Sequence, residues 1–140
     1  MMLTRGGEYA VRCILYLSMQ EVGRIVPKKE IASAMDIPAS FLAKVAQVLA
    51  KSRIINIHQG SGGGYTLALR PGDVSLLQVV EALEGEIFLN ACIMSPDMCQ
   101  RSPQCGVYKA WRRARDRLRE TLAEVDFEQL SRDELCIPKT

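Results

Sequence analysis

The sequence predicts a mainly α-helical protein with one small β-hairpin and a long helix near the C-terminus. Three observations support this fold class. Apolar residues recur at helical spacing through the first 50 positions, two short alternating segments flank a glycine-rich turn, and a final apolar seam runs for about two and a half heptads. With 140 residues, of which 48% are hydrophobic and 24% charged, the chain has the composition of one globular domain, or of one domain with an extension.

Three helices are predicted in the N-terminal part of the chain. The first runs from about position 7 to 19, where the apolar residues with helical spacing are Ala10, Cys13, Ile14 and Leu17. Lys28 to Met35 forms a short second helix, and a third begins near Ala39. Asp36-Ile37-Pro38 separates them, because the residue before a proline is pushed out of the α region. The pair forms a helix-turn-helix, a motif that also occurs in plain helical bundles.

A β-hairpin is predicted directly after this helix pair. Ile54–Ile57 indicates one strand, and the alternation of Tyr65, Leu67 and Leu69 indicates a second. The intervening HQGSGGGY has no side chains that would block a close approach at its glycines, although such runs are also typical of flexible hairpin tips. It lacks the GxxxxGK[ST] spacing of a phosphate-binding loop. A hairpin that follows a helix-turn-helix predicts a winged helix, in which the wing lies against DNA.

The C-terminal half adds two helices. Ser75 and Gln78 match a capping box for a helix over 75–84, and Gly85 can end it. The long helix begins near Val107, and its seam consists of Val107, Trp111, Ala114, Leu118, Thr121 and Val125. Trp111 is interpreted as a core residue. Because a compact winged domain leaves such a helix little to pack on in its own chain, we predict a homodimer.

Three cysteines are close together between these helices. The segment NACIMSPDMCQRSPQCGVYKAW contains Cys92, Cys99 and Cys105, with six and five residues between them. Three thiolates are a soft ligand set suited to an iron–sulfur cluster, zinc or copper(I). The missing Cys-x2–4-Cys pair argues against structural zinc, and redox-active or incidental cysteines remain an alternative. Cys13, on an apolar stripe, and Cys136, isolated near the C-terminus, are not expected to be ligands.

Charge and hydropathy indicate which partners and which cellular compartment suit the chain. Residues 1–70 carry nine Lys or Arg and four Asp or Glu, whereas residues 71–140 carry nine and twelve. A basic N-terminal half is compatible with a nucleic-acid partner, or simply with solvated faces. No apolar run is long enough for a membrane span, and the N-terminus has neither the uninterrupted apolar run nor the cleavage site of a signal peptide. A cytoplasmic protein is predicted, whose cysteines bind metal or react rather than form disulfides.

From Leu3 to about position 125 the chain resembles the IscR/NsrR/CymR family of winged helix-turn-helix transcription regulators. The matching stretches are LTRGGEYAVR, KKEIASAMDIPASFLAKVAQVLAKSRII and GSGGGYTLAL, with the three cysteines just ahead of the last helix. The resemblance implies a winged helix-turn-helix domain over 1–85, a cysteine-bearing sensor loop over 86–106, and a dimerisation helix with a C-terminal tail over 107–140. It also implies a near-palindromic double-stranded DNA operator.

The resemblance implies site residues as well. Iron–sulfur members bind the cluster, here [2Fe-2S] or [4Fe-4S], through Cys92, Cys99 and Cys105. Several take a fourth ligand from a partner subunit's position that corresponds to Glu8, while Asp97 and Tyr108 are local alternatives. The implied DNA-binding residues are Lys28, Lys29, Ser40, Phe41, Lys44, Gln47, Gln59, Gly60, Ser61, Gly62, Gly63 and Gly64.

The sequence therefore predicts a dimeric DNA-binding regulator controlled by an iron–sulfur cluster. One alternative keeps the fold but makes zinc, thiol oxidation or a partner protein the effector. An iron–sulfur electron-transfer protein is a further alternative, but it would need neither a helix-turn-helix nor a glycine wing. With a single histidine and no recognisable catalytic triad, the chain is not expected to be an enzyme.

Overall fold

The structure, a computed structural model, describes residues 3–87 and 105–133. It is mainly helical with one two-stranded antiparallel hairpin, as predicted. In chain order the elements are α1 (Arg5–Ser18), α2 (Lys28–Ala34), α3 (Ala39–Lys51), β1 (Ile55–His58), β2 (Gly64–Leu67), a 3-10 turn (Pro71–Asp73), α4 (Leu76–Glu84), α5 (Gly106–Glu124) and α6 (Phe127–Arg132).

Helix α1 is the central helix of the domain. Its N-cap is Thr4, whose side chain accepts a hydrogen bond from the Gly7 amide at 3.2 Å. The helix therefore starts two residues before the predicted position and ends one residue before it. Its buried stripe includes the four residues predicted from their spacing, and α1 contacts α3, α4, α6 and β2.

The helix-turn-helix consists of α2 and α3. Asp36 takes a left-handed conformation with φ of 58°, and Ile37 inserts into the core between the two helices. Pro38 is the N-cap of α3, because its fixed φ suits the start of a helix. The side chains that face the core are Ile31, Met35, Leu42, Val45 and Leu49, as predicted.

The hairpin pairs Ile55 with Leu67, Ile57 with Tyr65 and His58 with Gly64. A single bridge between Val26 and Tyr65 attaches the hairpin to the segment that precedes α2. The second strand ends at Leu67, so the predicted inclusion of Leu69 is wrong. After the Ala68 amide donates to Ile54, the chain leaves the sheet for the turn at Pro71, and Leu69 is left exposed.

Helix α4 has the predicted capping box between Ser75 and Gln78 and ends at Gly85, which has a φ of 77°. It packs against both α1 and α5. The contact with α5 includes a bidentate ion pair, in which Arg119 donates to both carboxylate oxygens of Glu81 at 2.9 and 3.1 Å. Glu81 also accepts from the Ile87 amide, so this carboxylate joins the end of α4 to α5.

The chain returns to the winged domain after α5, and the sequence did not indicate this. Phe127, which the sequence analysis left in a C-terminal tail, is fully buried in the same core as α1 and α3. The Leu76 amide donates to Val125 at 2.8 Å, and the Phe127 amide donates to Val74 at 3.0 Å. The C-terminal end of α5 is therefore fixed to the domain.

No helix within residues 3–87 and 105–133 combines the length and the apolar character that crossing a bilayer requires.

Candidate nucleic-acid interface and cysteine site

Helix α3 presents one polar face to solvent. Its buried positions form the opposite side, which leaves an exposed stripe at i, i+4, i+7 and i+11 made of Ser40, Lys44, Gln47 and Lys51. Phe41 is also exposed at the first turn. All four α3 residues that the sequence analysis assigned to DNA are therefore accessible, and their side chains can reach a neighbouring surface. A side-chain stripe of this kind is what a recognition helix presents to the major groove.

The wing tip extends from the hairpin. Gln59, Gly60, Ser61 and Gly62 are exposed, whereas Gly64 is buried against Val26 and Pro27. Gly60 and Gly62 have φ values of 88° and 78°, a region that residues with a side chain rarely adopt. These two glycines thus have a conformational role in the turn, and the resulting tip has little side-chain bulk.

The start of α2 lies beside the hairpin, because the Val26–Tyr65 bridge comes just before it. Lys29 is exposed and Lys28 is half-buried. Glu30 is paired with Arg24, which donates to both of its carboxylate oxygens at 2.7 and 3.0 Å. Tyr16 donates to the same carboxylate at 2.6 Å. The hydrogen bond from Arg24 is the main cause that lowers the pKa of Glu30.

Two side chains of α1 that the sequence analysis did not assign to the site, Tyr9 and Arg12, connect α1 with the helix-turn-helix. The rings of Tyr9 and Phe41 meet edge to face with centroids 5.0 Å apart. The Arg12 guanidinium lies 5.4 Å from the Tyr9 ring centre and points its NH1 group toward the carbonyls of Met35 and Asp36, at 3.4 and 3.5 Å. Helix α1 thus supports both the turn and the first turn of α3. Spacing along the sequence contains no signal for these contacts.

Of the three predicted cluster ligands, Cys105 lies within the described residues. It is the N-cap of α5 and is partly exposed. Cys92 and Cys99, together with Asp97 and Cys136, lie outside the described residues. Among the residues that are described, no three His, Cys, Asp or Glu side chains converge in a way that could hold a metal ion. Tyr108, a predicted alternative ligand, is buried in the first turn of α5.

Glu8, the predicted fourth ligand, is exposed in the first turn of α1. This turn is fixed to the end of α4, since the Thr4 amide donates to a carboxylate oxygen of Glu84 at 3.0 Å and the Thr4 hydroxyl donates to the same oxygen. Gly7 leaves room for this carboxylate, which a Cβ would approach to 2.5 Å. The N-cap role of Thr4 is readable from the sequence, but its partner 80 positions away is not.

Cys13 does not take part in this site. It is fully buried in the core, and burial raises the pKa of its thiol to about 12. A thiol in that environment stays protonated at neutral pH, whereas a metal ligand must be a thiolate. The expectation that Cys13 is a core residue and not a ligand agrees with this environment.

Helix α5 leaves most of its surface exposed. Tyr108 is the one buried residue among its 19, and 61% of Val107 and 43% of Trp111 are exposed. The expectation that Trp111 is a core residue does not hold within one chain. Val107 and Trp111 lie one turn apart on the same face of the helix, so two apolar side chains at its N-terminal end have no cover from the described part of the chain.

Comparison with known proteins agrees with this architecture. Residues 3–133 match the family model described as "Rrf2: Iron-dependent Transcriptional regulator". A Mycobacterium tuberculosis protein that carries the name of an HTH-type transcriptional regulator is 31% identical over 89% of this chain and 77% of its own. The HTH-type transcriptional regulator IscR of Xenorhabdus nematophila is 26% identical over 96% of this chain and 81% of its own. These relatives are named regulators and not enzymes.

Solved structures show the same fold. CymR, the global cysteine regulator of B. subtilis, superposes with a TM-score of 0.76 at 21% identity, over 94% of this chain and 96% of that one. T. potens IscR superposes with a TM-score of 0.75 at 20% identity, over 100% and 93% of the two chains. The chain folds as a winged helix with a basic N-terminal half, and the family model matches nearly its whole length. The chain therefore belongs to the Rrf2 family of transcriptional regulators.

Proposed function

We propose that this regulator binds a near-palindromic DNA operator as a homodimer and that an iron–sulfur cluster controls the binding. DNA binding is supported by the exposed stripe of α3 together with a wing tip of small side chains. Ser40 and Lys44 lie at the N-terminal end of α3, where base edges can be read. Lys28 and Lys29 suit phosphate contacts, which supply affinity more than specificity.

The dimer part of the proposal rests on α5. Burying an exposed valine and an exposed tryptophan against a second copy would remove apolar area from water, which favours association. Leu118, two turns after Trp111, extends the same face and is only partly covered. A two-fold dimer presents two recognition helices, and these would contact half-sites about 34 Å apart or a multiple of it.

The cluster part rests on donor chemistry. Thiolates are the usual ligands of iron–sulfur clusters, and Cys105 is a partly exposed thiol at the N-terminus of a 19-residue helix. That end of a helix favours negative charge, as an anionic cluster with thiolate ligands carries. Cys92, Cys99 and Cys105 would hold the group, with Glu8 of a partner subunit as the fourth ligand. When bound, the cluster supplies sensitivity to oxidants.

In this proposal, helix α1 connects Glu8 to the DNA-reading helix α3. Glu8 is in the first turn of α1, and the next residue, Tyr9, contacts α3, while Arg12 one turn later contacts the turn that precedes α3. A change in the contacts of Glu8 would therefore act on the helix that supports Phe41.

The test is anaerobic purification, followed by quantitation of iron and sulfide and an electron paramagnetic resonance spectrum. We expect Cys105→Ala to remove the visible chromophore and Cys13→Ala to keep it, since the Cys13 thiol is fully buried. Equal loss in both variants would contradict the ligand assignment. DNA binding is measured separately, as mobility shift of genomic fragments from the region upstream of the gene, so that a regulator without a cluster is still detected.

A second candidate is regulation by a thiol or partner protein on the same DNA-binding fold. It is favoured by the likeness to CymR, the global cysteine regulator of B. subtilis. The two candidates differ in iron and sulfide content. Anaerobic protein that lacks both and still binds DNA would support this second candidate.

A further inference from the structure

The wing contains one side chain that can carry a positive charge. From Ile55 to Leu67 the sequence INIHQGSGGGYTL has no Lys, Arg, Asp or Glu, and His58 is the single histidine of the whole chain. A wing that lies against DNA faces a phosphate backbone, where cations supply most of the sequence-independent affinity. In this protein the electrostatic contribution of the wing therefore depends on His58.

His58 is positioned to face outward beside the tip. It is the last residue of β1, is exposed, and precedes Gln59. Its Nε2 lies 2.9 Å from the Thr66 hydroxyl on the neighbouring strand, which fixes the ring on the solvent face of the hairpin. Within the described residues, Nδ1 has no hydrogen-bond partner. One ring nitrogen thus orients the imidazole and the other is free for a ligand.

The surroundings of His58 favour an anion. Its strand partner Gly64 is buried against Val26 and Pro27, so the start of α2 with Lys28 and Lys29 comes next to this part of the hairpin. The other charged groups of the elements packed against the hairpin are Arg5, Glu8 and Arg12 on α1, Arg24 and Glu30 next to the bridge, Lys44 and Lys51 on α3, and Arg53 before β1. Glu30 is paired with Arg24, and no carboxylate among the described residues bonds to His58.

We propose that His58 contacts a DNA phosphate and that its protonation sets the contribution of the wing to DNA affinity. This inference rests on the proposed DNA-binding function and adds a residue and a pH dependence to it. Histidine is the side chain whose ordinary charge change falls between about pH 5 and 8. Because the cationic form binds phosphate, binding takes up a proton, so affinity is highest at acidic pH and falls as the pH rises.

The size of the effect follows from counterion release. Each neutralised phosphate changes the slope of log K against log salt by about −0.9, which corresponds to about eightfold in affinity at roughly 0.1 M salt. A dimer that places both wings on DNA would show about twice that change in slope. The effect is independent of the DNA sequence, so the operator need not be known to measure it.

The experiment measures the affinity of the full chain for a fluorescent random-sequence duplex of about three helical turns, over a salt series at about pH 6 and about pH 8. Wild type is expected to show a steeper slope at the lower pH by about 0.9 per wing. His58→Asn, which keeps a polar side chain beside Thr66, should show the shallower slope at both. His58→Arg should show the steeper slope at both, and Lys28→Gln should lower the slope equally at both.

Each outcome has a separate meaning. An absence of binding by wild type at both pH values would contradict the proposed DNA-binding function, whereas binding with one slope at both pH values would contradict only the role of His58. A pH change retained in His58→Asn would also overturn it. Because the chain has one histidine, its imidazole proton resonance is a second readout, and duplex DNA should move its titration to higher pH. An unmoved titration would overturn the phosphate contact.

Discussion

Phe127→Ala is expected to destabilise the whole winged domain, although residue 127 lies far beyond it in the sequence. The side chain is fully buried in the core that α1 and α3 also form, and it comes just after the long helix. Truncating a buried phenylalanine to alanine costs about 3–5 kcal/mol through lost burial and the remaining cavity. Against a total free energy of unfolding of about 5–15 kcal/mol, this loss is large.

The assay is equilibrium unfolding in urea at one fixed protein concentration, because an associating protein has a concentration-dependent stability. Phe41→Ala is a matched control, since it makes the same chemical change at a side chain that is 37% exposed. That control loses its edge-to-face contact with Tyr9, worth about 0.5–1.5 kcal/mol, and the burial of a partly exposed ring, so we expect a smaller total loss than at Phe127. A truncation after Glu124 should cost more than Phe127→Ala, because it also removes the backbone bonds from Leu76 to Val125 and from Phe127 to Val74.

The reasoning is refuted if Phe127→Ala costs no more than Phe41→Ala. Such a result would mean that α6 does not pack into the core in solution. A loss of about 3 kcal/mol or more with an unchanged denaturant slope would support the packing seen here.

Three further predictions concern the dimer, the hairpin and the pH dependence of the free energy of unfolding. Trp111→Glu should convert the protein to a monomer by light scattering with its fold retained by circular dichroism, and a persistent dimer would exclude α5 as the interface. Gly64→Ala should lower the free energy of unfolding by about 1–3 kcal/mol, because a Cβ would overlap the Val26 carbonyl, whereas Gly106→Ala has open space and should cost nothing. The folded state lowers the pKa of Glu30. The stability that Glu30→Gln removes should therefore be fully present above the ordinary pKa range of a glutamate carboxyl and should vanish as the pH falls through the folded-state pKa. A pH series of urea midpoints measures it.

Local signals predicted most of the elements. Spacing placed the stripe of α1 and the inward faces of α2 and α3, and the capping chemistry of Ser75 and Gln78 placed α4 within one residue. The errors lie at ends that tertiary contacts determine. Leu69 alternates correctly for a strand, but the chain leaves the sheet at Ala68 for the turn at Pro71. Pattern alone does not contain that information.

The site was predictable only where position along one element was sufficient. The exposed residues of α3 follow from its buried face, so Ser40, Lys44 and Gln47 could be selected from the sequence. The partners that hold the site could not. Arg12 contacts the turn at Asp36, and Glu84 contacts Thr4 at a separation of 80 residues. Such pairs depend on how three helices pack, and single-sequence periodicity does not report packing.

The attachment of α5 near its C-terminal end makes the position of its N-terminal end sensitive to small angular changes. The helix is fixed near Arg119 by Glu81 and beyond its end by Phe127, whereas Val107 and Trp111 are at the other end. From Arg119 to Gly106 is 13 residues, which is about 20 Å at 1.5 Å per residue. A tilt of about 5° at the fixed end would therefore displace the N-terminus of α5 by about 1.7 Å, because the displacement grows with the length of the helix. The carboxylate of Glu81 also accepts a hydrogen bond from the Ile87 amide. The point at which α5 is fixed therefore lies where the chain enters the cysteine-bearing segment.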